Sequence, residues 1–253
     1  ISEKELASNF SLFENVVLPA GISFFTFQMI SLSIDRYRGS IPKMPPLNQI
    51  ALYISFFPQL VAGPILRFHD VSDRLAALNR FRINRDDIYA AAGFIIFGLA
   101  SKVLLADGLA RYIDELSVSP GALSSVDSVY VVLAFSFQIY FDFYGYSLVA
   151  IGLGRIFGFR FPDNFLRPYE ALNPQDFWRR WHVTLSYWIR DYVYLSLGGN
   201  RSYIRNIIIV FALCGLWHGA GLTFVIWGIY HGVLVAGYRL VGSAWDRMPK
   251  IIQ

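Results

Sequence analysis

Charge and cysteine are both scarce in this chain. Only 16% of its 253 residues are Asp, Glu, Lys or Arg, against 55% that are hydrophobic. That leaves too little polar surface for a water-soluble globule of this length and points to a chain that crosses a membrane several times. The single cysteine, Cys214, excludes an internal disulfide and a thiolate metal cluster. Histidine is nearly as rare: residues 69, 182, 218 and 231 show no H-x-x-H or H-E-x-x-H spacing, so no metal site is expected. The formal charge of +4 is spread over many short stretches, and nucleic acid is not an expected partner. No basic, apolar and small-residue leader pattern opens the chain, which begins at Ile1 and reads as part of a longer protein. Aromatic residues are what it has in abundance: six Trp, 15 Tyr and 22 Phe, rings suited to membrane–water boundaries.

The distribution of charge sets out the expected spans. Val16 to Ile34 is free of charge, follows an acidic segment and precedes Asp35, Arg36 and Arg38, so it is expected to run inward under the positive-inside rule. Residues 47 to 66 are also uncharged, yet both flanks are basic, and Pro58 and Gly63-Pro64 interrupt any helix there. A re-entrant segment is expected. Arg67 to Asp87 reads as a surface-lying cytoplasmic stretch with a solvated His69. Ile88 to Ala106 is expected to run outward, carrying Lys102, and 107 to 127 to form an outer loop. Val126 to Leu153 should return with Asp142 near its midpoint, where a carboxylate needs a partner in Lys102 or a histidine. The glycines of GLGRIFG, Gly154 and Gly158 among them, follow no strand and are expected to serve close helix packing.

From Arg155 to Arg205 the chain is basic and expected on the cytoplasmic side. Within it Asn173 suits an N-cap, Pro174 the first helical position and Gly198 a C-terminal stop, which predicts one interfacial helix between them. Helical spacing puts His182 on a face with Trp178, Leu185 and Ile189, as a packing histidine or a catalytic one. Spans at 206 to 220 and 222 to 239 follow, with His231 expected to bond inside the bundle. The fold class is therefore all-α: a multispanning membrane helical bundle with a re-entrant segment and interfacial amphipathic helices, treated as a single membrane-embedded domain over 1–253.

His218 ends the apolar run NIIIVFALCGLWHGAG. An imidazole at membrane depth is costly and suits proton transfer near neutral pH, though a helix-capping role fits the same position. Cys214 stands one turn earlier. A cysteine–histidine dyad is disfavoured there, because apolar surroundings oppose thiolate formation. Asp142, Lys102 and the histidines would also serve a proton-coupled transporter, but the two halves show no internal repeat.

Taken together, FFPQLVAGPILR (56–67), QIYFDFYGYS (138–147), GFRFPDNFLRPY (158–169), FWRRWHVTLSYWIRDYVYLSLGGNR (177–201) and LCGLWHGAGLTFVIWGIYHG (213–232) resemble the membrane-bound O-acyltransferase family. Within it they resemble the bacterial branch of alginate O-acetylation membrane proteins, and more distantly the D-alanyl transfer protein of teichoic acids. The resemblance implies a catalytic histidine at His218 and a second functional site at His182, with Asp142, Trp181 and Trp217 as supporting candidates. It implies no bound cofactor. Its donor would be acetyl-coenzyme A or another acyl thioester reached from the cytoplasm, with Arg179, Arg180, Arg190 and Arg201 as candidates to hold phosphates, or else as ordinary positive-inside charge. The acceptor would be a hydroxyl on the outer side of a bacterial plasma membrane, served by a periplasmic or extracellular acyl-relay protein. The first spans and the carboxy-terminal portion of such proteins are absent from this chain. Where the branch has FDFSGYSDMA this chain has FDFYGYSLVA, so Tyr144 and Leu148 replace a serine and an aspartate.

Overall fold

A computed structural model describes residues 21–60, 63–117 and 123–249. The described residues form helices: α1 Ile22–Tyr37, α2 Leu47–Ser55, the short α3 Phe57–Leu60, α4 Phe68–Ala76, α5 Arg85–Ala100, α6 Asp107–Ser117, α7 Ser125–Ile156, α8 Pro174–Arg180, α9 Val183–Ile189, α10 Tyr203–His218 and α11 Leu222–Trp245. A π-turn, Ser101–Ala106, joins α5 to α6 without a break. Among the described residues, three continuous stretches are long and apolar enough to cross a membrane: Arg85–Leu116, Ser125–Ile156 and Leu222–Trp245. Residues 16–20 of the first expected span, Val61 and Ala62 of the re-entrant stretch, and 118–122 of the expected outer loop lie outside the described residues.

Local chemistry explains the ends. Asn84 accepts from the Asp86 N–H at the start of α5, and Ser124 and Asp127 form a reciprocal capping box at the start of α7. Helix α7 stops where Gly158 takes a left-handed φ of 75°. GLGRIFG thus acts differently from the expectation of helix–helix contact through Gly154 and Gly158. Gly154 lies against the Phe161 ring, Gly158 turns the chain, and it is Gly152 that packs on α5 at Ala91 and Ile95. The expected outer loop also begins later than its charges imply, since 107–117 winds into α6.

Two backbone-to-backbone contacts hold the long helices together. A Cβ at Gly98 of α5 would fall 2.7 Å from the Gly145 carbonyl oxygen of α7, and one at Gly145 would fall 2.7 Å from that of Gly98. In the α10–α11 hairpin a Cβ at Gly215 would collide with the Phe224 carbonyl, and one at Gly228 with the Phe211 carbonyl. Close approach through small residues is the usual way for helices to pack in lipid.

The uncharged stretch at 47–66 is broken. Phe56 is extended between α2 and α3. Gln59 Nε2 donates to the Tyr53 carbonyl, and Tyr53 Oη donates to the Leu66 carbonyl at 2.8 Å. The segment after Gly63-Pro64 is thereby folded back on α2, which takes up backbone groups that irregular chain in a membrane must not leave bare.

The single interfacial helix expected between Asn173 and Gly198 is three pieces. Its start is as the sequence predicts: Asn173 Oδ1 accepts from the Asp176 N–H at 2.8 Å and Pro174 opens α8. Trp181 is then extended and His182 left-handed, at φ 43° and ψ 54°. Helix α9 follows, then a π-turn over Arg190–Tyr194. The break has a tertiary cause. Residues 164–166 pair with the opened backbone, Leu166 N–H donating to the Arg180 carbonyl and Val183 N–H to that of Asn164, both at 2.9 Å. His182 consequently leaves the helical face it was expected to share with Trp178. This region is tied to α1 and α4 by Trp188 Nε1 donating to the Phe27 carbonyl, Tyr192 Oη to Asp35 at 2.7 Å and Arg67 to Asp191 at 2.6 Å.

Candidate active site

One face of α10 carries Tyr203, Ile207, Val210, Phe211, Cys214 and His218 at successive turns, and all six line a cavity of about 700 Å³. At 1.5 Å per residue the cavity runs about 22 Å along this helix. The Tyr203 end is basic and polar. Arg239 sits over the Tyr203 ring at 4.2 Å and Gln175 Nε2 donates to Tyr203 Oη; Arg179, Arg190 and Asn200 also line the cavity. The other end carries His182, Cys214 and His218.

His218 is the last residue of α10 and is exposed. Its ring packs between Trp217, with centroids 4.6 Å apart, and Trp227, at 5.4 Å and nearly perpendicular. His182 is the opposite case, only 2% exposed. Phe143 meets it edge-on at 4.7 Å, and Trp217 lies 6.3 Å away on the His218 side. Burial, and to a lesser degree the charge of His218, pushes the His182 pKa down to about 3. His182 is therefore neutral across the physiological range, whereas His218 is exposed at the end of α10.

Among the described residues, the buried Trp178 Nε1, Trp217 Nε1 and His182 Nε2 have no hydrogen-bond partner. Each such atom costs about 1–3 kcal/mol unless a bound group satisfies it. Two indole donors and one imidazole nitrogen suit a molecule carrying both an acceptor oxygen and a donor.

The remaining sequence candidates divide. Trp181 lines the cavity and stacks on Phe177, and Arg179 and Arg190 line the same cavity. Arg180 does not join them. It pairs with Asp176 at 2.9 Å and lines a separate cavity of about 400 Å³ with Tyr144, Leu148 and Asp163. Arg201 is exposed and outside the lining. Asp142 pairs with Lys102 at 2.6 Å, and the same lysine pairs with Asp107 at 2.6 Å. His231 packs between the rings of Trp178 and Trp227. His69 is half-exposed beside Asp70. Asn164 lies within GFRFPDNFLRPY but nothing in the sequence singles it out there, and Arg239 and Gln175 lie outside the motif stretches.

A sequence profile described as MBOAT, membrane-bound O-acyltransferase family, matches residues 14–249. The chain belongs to this family. It is 43% identical to "Probable alginate O-acetylase AlgI" of Azotobacter vinelandii over 94% of this chain and 48% of that protein. It is 40% identical to "Peptidoglycan O-acetyltransferase" of Helicobacter pylori, over 94% of this chain and 51% of the relative. With "Teichoic acid D-alanyltransferase" of Bacillus subtilis it shares 30% identity, over 93% of this chain and 62% of the relative. The chain thus spans about half the length of the first two relatives. As a membrane-bound O-acyltransferase family member it is a membrane protein, and the transporter alternative falls away. No group of three or more His, Cys, Asp or Glu that could hold a metal ion is present among the described residues.

Proposed function

We propose that this chain is the cavity-bearing part of a membrane-embedded O-acyltransferase. It would move an acyl group, acetyl in the first instance, from a thioester supplied from the cytoplasm to a hydroxyl on the outer side of a bacterial plasma membrane, for O-acetylation of a cell-surface polysaccharide. The observation that carries the reading is the cavity along α10, which is lined by three arginines and by both histidines. Phosphates of the donor sit at Arg179, Arg190 and Arg239, where a planar guanidinium matches them. Its acyl-bearing arm follows α10 toward the histidines. His218 takes the proton of the acceptor hydroxyl as that oxygen attacks the thioester carbonyl. The indole N–H groups offer hydrogen bonds to the oxyanion, the C–S bond breaks, and the thiolate leaves and recovers the proton. Acetyl is favoured over D-alanyl because the relatives named for acetyl chemistry match at 40–43% identity and the D-alanyltransferase at 30%. A polymer does not readily thread to this depth, so a periplasmic or extracellular protein relays the acyl group.

The test parts base from cap at His218. In the full-length protein, His218→Ala removes about 10²-fold or more of acyl transfer. His218→Gln keeps hydrogen-bonding capacity but no usable basicity near neutral pH, and is expected to be as inactive as Ala. A folded, donor-binding Gln variant with near-normal turnover would reduce His218 to a helix cap. Polymer acetylation by the purified full-length protein with acetyl-coenzyme A alone would count against the relay.

A further inference from the structure

Asn164 is 1% exposed and belongs to neither the basic end nor the histidine pair, yet it binds the His182 segment at four atoms. Its carbonyl accepts the Val183 N–H at 2.9 Å. Its side-chain Oδ1 lies 3.0 Å from His182 Nδ1, accepts Thr184 Oγ1–H at 2.9 Å and lies 3.4 Å from the Thr184 N–H. Its Nδ2 donates to Ser147 Oγ at 3.1 Å. The orientation of the amide follows from the network. A backbone N–H only donates, so the atom facing Thr184 is the carbonyl oxygen, and the amide nitrogen faces the serine. Thr184 is itself held, its Oγ1 accepting the Ile65 N–H at 2.9 Å.

We propose that Asn164 is a positioning residue for His182: its Oδ1 fixes the imidazole as the Nδ1–H tautomer and so presents Nε2, as a hydrogen-bond acceptor, to an N–H or O–H group of the molecule bound in the cavity. An amide oxygen cannot donate, so the shared hydrogen belongs to Nδ1, and the neutral ring then carries its lone pair on Nε2. Among the described residues that nitrogen has no partner, and His182 lines the cavity. The same asparagine sustains the left-handed backbone of His182, a conformation that non-glycine residues keep only where surrounding contacts impose it. Asn164 offers a neutral carbonyl where a carboxylate would stabilise imidazolium. His182 is thus built to accept a hydrogen bond, which leaves proton uptake to His218. The kinetic part of this inference rests on the acyltransferase reading; the tautomer does not.

The two are tested separately. In protein labelled with ¹⁵N-histidine, protonated and bare ring nitrogens resonate far apart, and the His182 signals are those lost in His182→Gln. A protonated Nδ1 and a bare Nε2 are expected in the unsubstituted protein. A proton on Nε2 would overturn the proposal whatever the enzyme's activity. In the kinetic arm, Asn164→Ala is expected to slow acyl transfer on the order of 10-fold, the scale seen when the partner orienting a ligating imidazole is removed. It should cause no further loss in the His182→Gln background, and Asn164→Asp, which still accepts from Nδ1, should retain more activity than Ala. Equal losses in both backgrounds would make Asn164 merely structural.

Discussion

Asp142 and His218 are both ionisable groups in apolar sequence, and position alone does not separate them. The structure does. Asp142 spends its charge on Lys102 at 2.6 Å, while His218 ends on a cavity it shares with a second histidine. A transporter-style relay would need Asp142 to exchange protons. A structural pair needs only that it stay bonded. Asp142→Asn, which keeps hydrogen-bond capacity toward Lys102, is therefore expected to preserve acyl transfer within about 3-fold, a loss of under 1 kcal/mol in transition-state stabilisation. Loss comparable with that of His218→Ala, in a protein that remains monodisperse in detergent, would bring Asp142 back into the chemistry. At this scale the sequence was informative where a residue was both costly and rare. The two histidines, Cys214 and the Lys102–Asp142 pairing could all be singled out for that reason. Asn164 and Arg239 could not, because an asparagine after Pro-Asp reads as a turn and an arginine near a helix end reads as topology. Their significance comes from neighbours distant in the chain: Asn164 meets His182 across 18 residues, and Arg239 meets Tyr203 across two helices.

Among the elements, the α10–α11 hairpin gives the clearest energetic expectation. Even a methyl group at Gly228 would collide with the Phe211 carbonyl, whereas a Cβ at Gly237 on the same helix meets nothing within 4 Å. Gly228→Ala is expected to destabilise the protein by about 1–3 kcal/mol through overpacking. Gly237→Ala should be neutral or mildly stabilising, since alanine has the higher helix propensity. Thermal unfolding in detergent checks the pair, and equal melting temperatures would mean that the hairpin has another close-packed arrangement available. The apolar runs behind these helices were legible as helices. Their boundaries at 107–117 and at 181–182 were not, for different reasons. Helix α6 is amphipathic and was masked by its acids. The break at His182 is imposed by hydrogen bonds from residues 164–166, which no periodicity within 174–197 contains.

For the whole molecule the open question is sidedness, which rests on the two basic flanks of 47–66. In a Cys214→Ser background, single cysteines at Ser40 and Ser72 should both resist an impermeant thiol reagent added outside intact cells, and one at Ser119 should react. Labelling of only one of the first two would mean that 47–66 crosses the bilayer, and would invert every later segment. Two walls of unlike character enclose the cavity under either orientation. One is α10, locked to α11 by backbone against backbone. The other is the stretch from Gln175 to Asn200, interrupted by a left-handed residue, a π-turn and a left-handed Gly198, and held to the rest of the protein by side-chain packing of Leu185, Trp188 and Tyr192 and by polar contacts such as Arg67–Asp191 and Tyr192–Asp35. The first wall leaves no room for even a methyl group between α10 and α11 at Gly215 and Gly228. The passage is a trough whose two sides answer to different substitutions: glycine positions on one, and on the other Asp35 and Asp191, whose partners Tyr192 and Arg67 tie that side in place.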